Sequence, residues 1–139
     1  MNRILVDTGP LVAILSADDE HHEACVDALR QMPGPLLTCW PVITEAAWLL
    51  RRSPRAVQQL LTSIDGRFLE LLPLAGNEAV AIAALVKKYG DIRPQLADAS
   101  LLYLANREGI ETVFTLDQRD FSIYQIGRKR AFRIVPELG

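Results

Sequence analysis

The chain has 139 residues, half of them hydrophobic, and a formal net charge of −2. This length favours a single domain, residues 1–139, and the slightly acidic balance argues against a protein that holds nucleic acid through bulk positive charge. The two cysteines do not form a disulfide scaffold, so we expect a reducing, cytoplasmic location. No apolar run is long enough to predict a membrane span, and no membrane partner is expected.

Apolar runs bounded by turn residues predict strands, and apolar residues at helical spacing predict helices between them. In chain order we predict a strand at 4–6, helices at 11–15 and 18–32, a strand at 36–40, helices at 44–52 and 56–64, a strand at 68–72, helices at 77–88 and 96–108, a strand at 111–116, a helix at 119–126 and a strand at 132–135. Asn77 is the predicted cap of one helix, and Gly109 ends the next. Strands that alternate with helices predict an α/β fold with a central parallel sheet covered on both faces.

Four acidic residues follow or precede these apolar runs: Asp7, Glu45, Asp98 and Asp117. Parallel sheets bind ligands at the carboxyl ends of their strands, and the predicted topology can gather all four acids at that edge. No lysine or arginine lies inside the four segments to pair with them, and unpaired carboxylates near a core are costly. A hard divalent cation held by oxygen ligands is the natural partner, which points to a metal-dependent hydrolase acting on a phosphodiester.

Other polar residues beside these acids are candidates for substrate contacts. Thr8 and Thr115 offer hydroxyl groups, and Arg119 flanks the fourth acid. Trp40 and Trp48 are expected to be core or interface residues, with base stacking as the less favoured alternative. Two runs of basic residues, at 51–55 and 128–133, would hold RNA phosphates if either lies beside the acids.

Four segments in this order and spacing resemble the PIN-domain ribonucleases, and more narrowly the VapC-type toxins of bacterial toxin–antitoxin pairs. The segments run from Leu5 to Gly9, Trp40 to Ala46, Leu96 to Leu101 and Thr115 to Phe121. The resemblance implies a three-layer α/β/α fold and an endoribonuclease that requires Mg²⁺, with Mn²⁺ as a substitute. It also implies an RNA substrate, a homodimer and a cognate antitoxin protein.

By the same resemblance, Asp7 and Asp98 are the principal metal ligands, Glu45 completes the site directly or through water, and Asp117 is the fourth acid. All four are predicted to be catalytic, whereas Asp120 stays outside the predicted set. Two alternatives remain open on the sequence: a non-catalytic binding module of the same fold, and a nuclease of that fold directed at DNA.

Other classes that share single features fit the sequence less well. Each acid alone is a common turn or helix-cap residue, so only the joint pattern points to a metal site. The triplet Asp7-Thr8-Gly9 also occurs in aspartic proteases, but those are all-β proteins and this chain is rich in predicted helix. A phosphatase that forms an aspartyl-phosphate would usually carry a second acid where this chain has Gly9.

Overall fold

The computed structural model describes residues 3–137, and their centre is a parallel sheet of five short strands. The seven strands in chain order are β1 (Ile4–Val6), β2 (Leu36–Thr38), β3 (Leu69–Leu71), β4 (Thr112–Phe114), β5 (Gln125–Ile126), β6 (Arg130–Ala131) and β7 (Arg133–Val135). The sheet has the order β3-β2-β1-β4-β7, and every neighbouring pair is parallel. The antiparallel pair of β5 and β6 forms a separate hairpin.

Seven α-helices flank the sheet. They are α1 (Thr8–Leu15), α2 (His22–Arg30), α3 (Trp40–Leu49), α4 (Pro54–Asp65), α5 (Ala79–Lys88), α6 (Leu96–Glu108) and α7 (Gln118–Ile123). Strands β1 and β2 are buried at every position, as expected for central strands covered on both faces. The predicted α/β class with a central parallel sheet is therefore confirmed. Among residues 3–137, no helix is long and apolar enough to cross a membrane.

Helix α6 has the bounds that the sequence predicts, because residues at both of its ends favour a helix terminus there. Asp98 in its first turn accepts a hydrogen bond from the Gln95 amide at 3.3 Å. Gly109 follows the last residue with a φ of 68°, a left-handed conformation that glycine adopts without a steric penalty. The helix ends are thus fixed before tertiary packing is considered.

Several predicted boundaries are wrong, and the helix predicted for 18–32, for example, runs only from His22 to Arg30. Helix α3 begins at Trp40 rather than at residue 44, because Pro41 is tolerated in a first helical turn and leaves the strand to end at Thr38. Asn77 does not cap α5; instead the Ala75 amide donates to the Glu78 carboxylate at 2.8 Å, ahead of a 3₁₀ turn at Gly76–Glu78. The helix predicted for 119–126 ends at Ile123, and the chain then enters the hairpin.

Candidate metal centre

Asp7 and Thr115 lie side by side because β1 and β4 are neighbours in the sheet. Val6 and Phe114 are paired at the ends of these strands, so the residues that follow leave the sheet at the same edge. The Asp7 amide donates to the Phe114 carbonyl at 2.9 Å, which extends the pairing by one step. Asp7 thereby occupies the carboxyl edge of the sheet, where ligands of parallel sheets bind.

Two helices bring the other acids to this edge. Glu45 is the sixth residue of α3, and Asp98 is in the first turn of α6. These helices pack against each other. Asp117 caps the amino end of α7, where its carboxylate accepts a hydrogen bond from the Asp120 amide at 3.3 Å. The structure thus brings four acids from four separate segments into one cluster, which we call the acidic centre: Asp7, Glu45, Asp98 and Asp117.

Thr115 links two of these acids. Its hydroxyl donates to Asp7 Oδ2 at 2.9 Å and accepts from the Asp117 amide at 3.0 Å. The side chain is completely buried. These contacts argue against the substrate contact predicted for Thr115, because the hydroxyl is inaccessible and already committed. Its role in the structure is to position Asp7 relative to Asp117.

Burial and the charges of neighbouring acids make three aspartates of this centre difficult to ionise: Asp7, Asp98 and Asp117. Burial raises the pKa of Asp7 from 3.8 to about 6, and the charges of Glu45 and Asp117 add to the effect. The Thr8 amide, and after it the Thr115 hydroxyl, act in the opposite direction and lower the pKa of Asp7. Asp7 therefore resists ionisation unless a cation is present.

Asp98 responds to the same causes. Burial raises the pKa of Asp98 to about 7, followed in importance by the charge of Asp7 and, more weakly, those of Asp117 and Glu45. Burial is also the first cause of the raised pKa of Asp117, partly opposed by the Asp120 amide. Because each acid affects others in the set, the acidic centre is one electrostatic unit.

No arginine, lysine or histidine neutralises the acidic centre by direct pairing. None of the ion pairs between described residues includes one of the four acids. Asp7 Oδ1 is buried and has no hydrogen-bond partner. A buried carboxylate oxygen without a donor fits a hard cation, which would supply the missing positive charge.

The spacing of the acids bears on how an ion would be held. Among residues 3–137, no three acidic, histidine or cysteine side chains approach closely enough to chelate one ion together. Magnesium usually takes only one or two protein carboxylates and keeps several waters. The donor set therefore fits an ion that is bound directly by one or two acids and contacted by the others through water.

The remaining candidate contacts differ in accessibility. Thr8 is buried, and its hydroxyl, like Asp7 Oδ1, has no hydrogen-bond partner. Arg119 is exposed on the first turn of α7 and lowers the pKa of Asp117 through its charge. Arg119 is thus close to the acidic centre and accessible to a substrate, whereas Thr8 is not exposed.

Tyr124 is a neighbour of the acidic centre that sequence reasoning missed. Its buried hydroxyl has no hydrogen-bond partner, and its ring packs edge-to-face against Tyr89 and Phe121 at 5.0 and 5.1 Å between centroids. Burial, followed by the charge of Asp98, raises the pKa of Tyr124. No sequence pattern marks this residue, because its proximity depends on how the chain leaves α7.

A buried carboxylate centre at the carboxyl edge of a parallel α/β sheet defines the class of this protein. The family model described as the PIN domain matches residues 4–127. The chain belongs to this family, as the four sequence segments predict.

One relative and one solved structure extend this assignment. Ribonuclease VapC26 of Mycobacterium tuberculosis (strain ATCC 25618 / H37Rv) is 31% identical over 136 residues, which cover 96% of this chain and 100% of the relative. The sarcin-ricin loop cleaving toxin VapC20 of Mycobacterium tuberculosis has a crystal structure with a TM-score of 0.73 to this one. It is 18% identical, and the match covers 79% of this chain and 86% of that chain, so its likeness speaks for the fold alone. These comparisons support the predicted resemblance to VapC-type toxins.

Proposed function

We propose that this protein is a metal-dependent endoribonuclease and the toxin of a toxin–antitoxin pair. The observation that carries the proposal is Asp7, a buried carboxylate whose Oδ1 has no hydrogen-bond partner and whose pKa is raised by burial and by the charges of other acids. A buried carboxylate with a purely structural role would be paired with a cation or with several hydrogen-bond donors. Membership of the PIN family and the full-length likeness to a ribonuclease support RNA as the substrate.

We assign Asp7 and Asp98 as the principal ligands of Mg²⁺, for which Mn²⁺ can substitute. Glu45 would complete the site directly or through water, and Asp117 would be its fourth acid. Such an ion supplies a Lewis acid that polarises a phosphoryl oxygen and activates water for in-line attack. Asp7 and Asp98 have pKa values of about 6 and about 7, so both are ready to lose their protons to a cation near neutral pH.

The remaining residues orient these groups and the substrate. Thr115 fixes the Asp7 carboxylate through Oδ2 and leaves Oδ1 free to face the ion. The Asp120 amide holds the Asp117 carboxylate at the start of α7. Arg119, exposed beside Asp117, neutralises a phosphate of the RNA backbone without reading its bases. Thr8, which is buried and has an unpartnered hydroxyl, stays a predicted substrate contact.

The partners follow from the same proposal. A VapC-type toxin acts on RNA and is silenced by a cognate antitoxin protein, and we propose both for this chain. We also propose a homodimer and a cytoplasmic location, as the family resemblance implies.

Cleavage assays with and without metal test the proposed function. A panel of single-stranded and structured RNAs, with DNAs of the same sequences, is incubated with the protein in Mg²⁺, Mn²⁺ or EDTA. The test variant is Asp98→Asn, and the matched control is Asp91→Asn, an exposed acid in the turn before the same helix. We expect RNA cleavage that needs metal, disappears in Asp98→Asn and survives in Asp91→Asn.

Other outcomes of this assay select among the alternatives. Cleavage that persists in EDTA or in Asp98→Asn contradicts the proposed site. Cleavage of DNA alone identifies a DNA-directed nuclease. If neither nucleic acid is cut but millimolar Mn²⁺ stabilises the wild type, the chain is a metal-holding module without nuclease activity.

A further inference from the structure

An open groove of about 530 Å³ adjoins the acidic centre on the side of Glu45. Trp40 and Trp48 of α3 line it, together with Leu96 at the start of α6. Glu45 also lines the groove, so one acid of the centre is part of its wall. A substrate whose phosphate lies at the acids therefore has its neighbouring nucleotide at this groove.

The two tryptophans, predicted to be core or interface residues, are exposed and therefore do not belong to the core. Trp40 is 58% exposed and Trp48 is 63% exposed, and Leu96 is 62% exposed. Trp40 and Trp48 are eight residues apart on α3, so their side chains share one face of the helix. Large aromatic side chains left in water beside a catalytic centre form a platform for a flat ligand.

A basic segment follows α3 beside Trp48, one of the residues that line the groove. The Arg51 guanidinium lies 3.9 Å from the Trp48 ring centroid and donates to the Trp48 carbonyl at 2.9 Å, so its position is fixed. Arg52 and Arg55 are exposed close by, and neither is in an ion pair with a described residue. Glu45 and Trp48 are separated by a helical rise of about 4.5 Å on α3, and Arg51 rests on Trp48 just after the helix ends. A strand held at the acids by a metal ion can thus reach cationic groups along one groove.

We propose that the groove between α3 and α6 binds unpaired nucleobases of the RNA substrate, stacked on Trp40 and Trp48, while Arg51 and its neighbours neutralise the adjoining phosphates. This inference rests on the proposed ribonuclease function and specifies its substrate as single-stranded at the cleavage site. Bases inside a duplex cannot present their faces to tryptophan, whereas unpaired bases can.

The charges in the groove favour RNA over an apolar partner. A second copy of the chain seated on the tryptophans would bring the Glu45 carboxylate and the Arg51 guanidinium out of water, at a cost in desolvation. It would also cover the side of the acidic centre on which Glu45 lies. An RNA strand leaves both charged groups solvated and pairs the cations with phosphates.

Tryptophan fluorescence tests this inference directly, because the two tryptophans of the chain both line the groove. Asp98→Asn protein in Mg²⁺ is titrated with a short single-stranded RNA and with an abasic oligomer of the same length and charge. We expect saturable quenching by the RNA and none by the abasic oligomer. Trp48→Ala should weaken RNA affinity by about tenfold, and Trp48→Phe should retain most of it.

Phe68→Ala is the matched control, since Phe68 is 72% exposed but does not line the groove. It should leave RNA affinity unchanged. Equal quenching by the abasic oligomer, or unchanged affinity in Trp48→Ala, overturns the inference. Light scattering that shows a wild-type dimer and a Trp48→Ala monomer also overturns it, because the groove then belongs to a second copy.

The cleavage assay separates this inference from the proposed function. Metal-dependent RNA cleavage without base-dependent quenching supports the ribonuclease function and contradicts the proposed stacking site. Base-dependent quenching without cleavage supports the RNA-binding groove and contradicts the proposed activity.

Discussion

Removal of the Asp7 charge by Asp7→Asn should stabilise the metal-free protein at pH 8. Asp7 is 5% exposed, and burial raises its pKa from 3.8 to about 6. This difference means that the ionised carboxylate lowers the free energy of unfolding by about 3 kcal/mol at pH 8. The asparagine has nearly the same shape and can keep the hydrogen bond from Thr115.

The expected gain is smaller than the full electrostatic penalty. The asparagine amide places a donor near the buried Oδ1 position, which is costly if it finds no acceptor. This cost offsets part of the electrostatic gain, so we expect a net gain of about 2 kcal/mol. For a domain of this size that corresponds to roughly 6–8 °C in melting temperature.

The direction of the Asp7 pKa shift determines how the stability gain of Asp7→Asn depends on pH. A carboxyl group with a raised pKa in the folded state destabilises that state only when it is ionised, so the penalty is complete above the folded value of about 6. As the pH falls from about 6 towards 3.8, the penalty decreases, and below 3.8 it is absent. The electrostatic advantage of Asp7→Asn should therefore be full at pH 8 and vanish by about pH 4, where only the cost of the asparagine amide, about 1 kcal/mol, remains.

The assay is urea unfolding in EDTA at pH 8, 6 and 4, for wild type, Asp7→Asn and the control Asp27→Asn. Asp27 is an exposed acid on α2 with only a long 3.5 Å contact to Arg30, so its substitution should change stability by less than about 0.5 kcal/mol. Asp7→Asn that destabilises the metal-free protein at pH 8 would refute the reasoning, as would a gain that does not shrink towards pH 4.

Three further predictions test the metal, the positioning residue and the fold separately. Mn²⁺ at about 100 times its dissociation constant should stabilise the wild type by about 2.7 kcal/mol at pH 8, and by less at pH 5.5, because protons compete for Asp7 and Asp98; calorimetry at both pH values measures this. Thr115→Val should destabilise the protein by about 1–3 kcal/mol and lower cleavage, because the Asp117 amide and Asp7 lose their shared partner. Thr115→Ser should restore stability and cleavage, and normal cleavage in the valine variant would contradict the assigned role. Gly109→Ala should lower stability by about 1 kcal/mol with unchanged cleavage, since the φ of 68° disfavours a side chain although nothing lies within 4 Å of it; equal stability would show that the helix end relaxes.

The fold could be predicted from the sequence wherever local signals and apolar pattern agree. Strand β1 is an uninterrupted buried run that ends at Asp7, and α6 carries an acidic first turn and a terminal glycine. The start of α3 could not be predicted, because Trp40, Val42 and Ile43 are residue types that favour strands. The neighbouring helices bury Val42 and Ile43, and this packing decides the conformation.

The acidic centre was only partly predictable. The topology of a parallel sheet indicates that acids after β1 and β4 share an edge, and the structure brings all four acids within electrostatic range. Their roles as ligands and catalysts stay predictions. The committed hydroxyl of Thr115 and the exposure of Trp48 could not be read from the sequence, because both depend on contacts between distant segments.

Ionisation of the acidic centre has opposite effects on the metal-free fold and on metal binding. Without metal, ionisation of Asp7 and Asp98 weakens the folded state, because burial and neighbouring acids raise the pKa of both. With metal, the same ionisation creates the ligands, so binding releases protons and strengthens the fold. Between pH 4 and 7 the metal-free protein should therefore lose stability from these two groups while its metal affinity rises. Measuring both quantities in the same samples distinguishes this centre from a structural acid cluster, in which rising pH would weaken the fold and metal would not restore it.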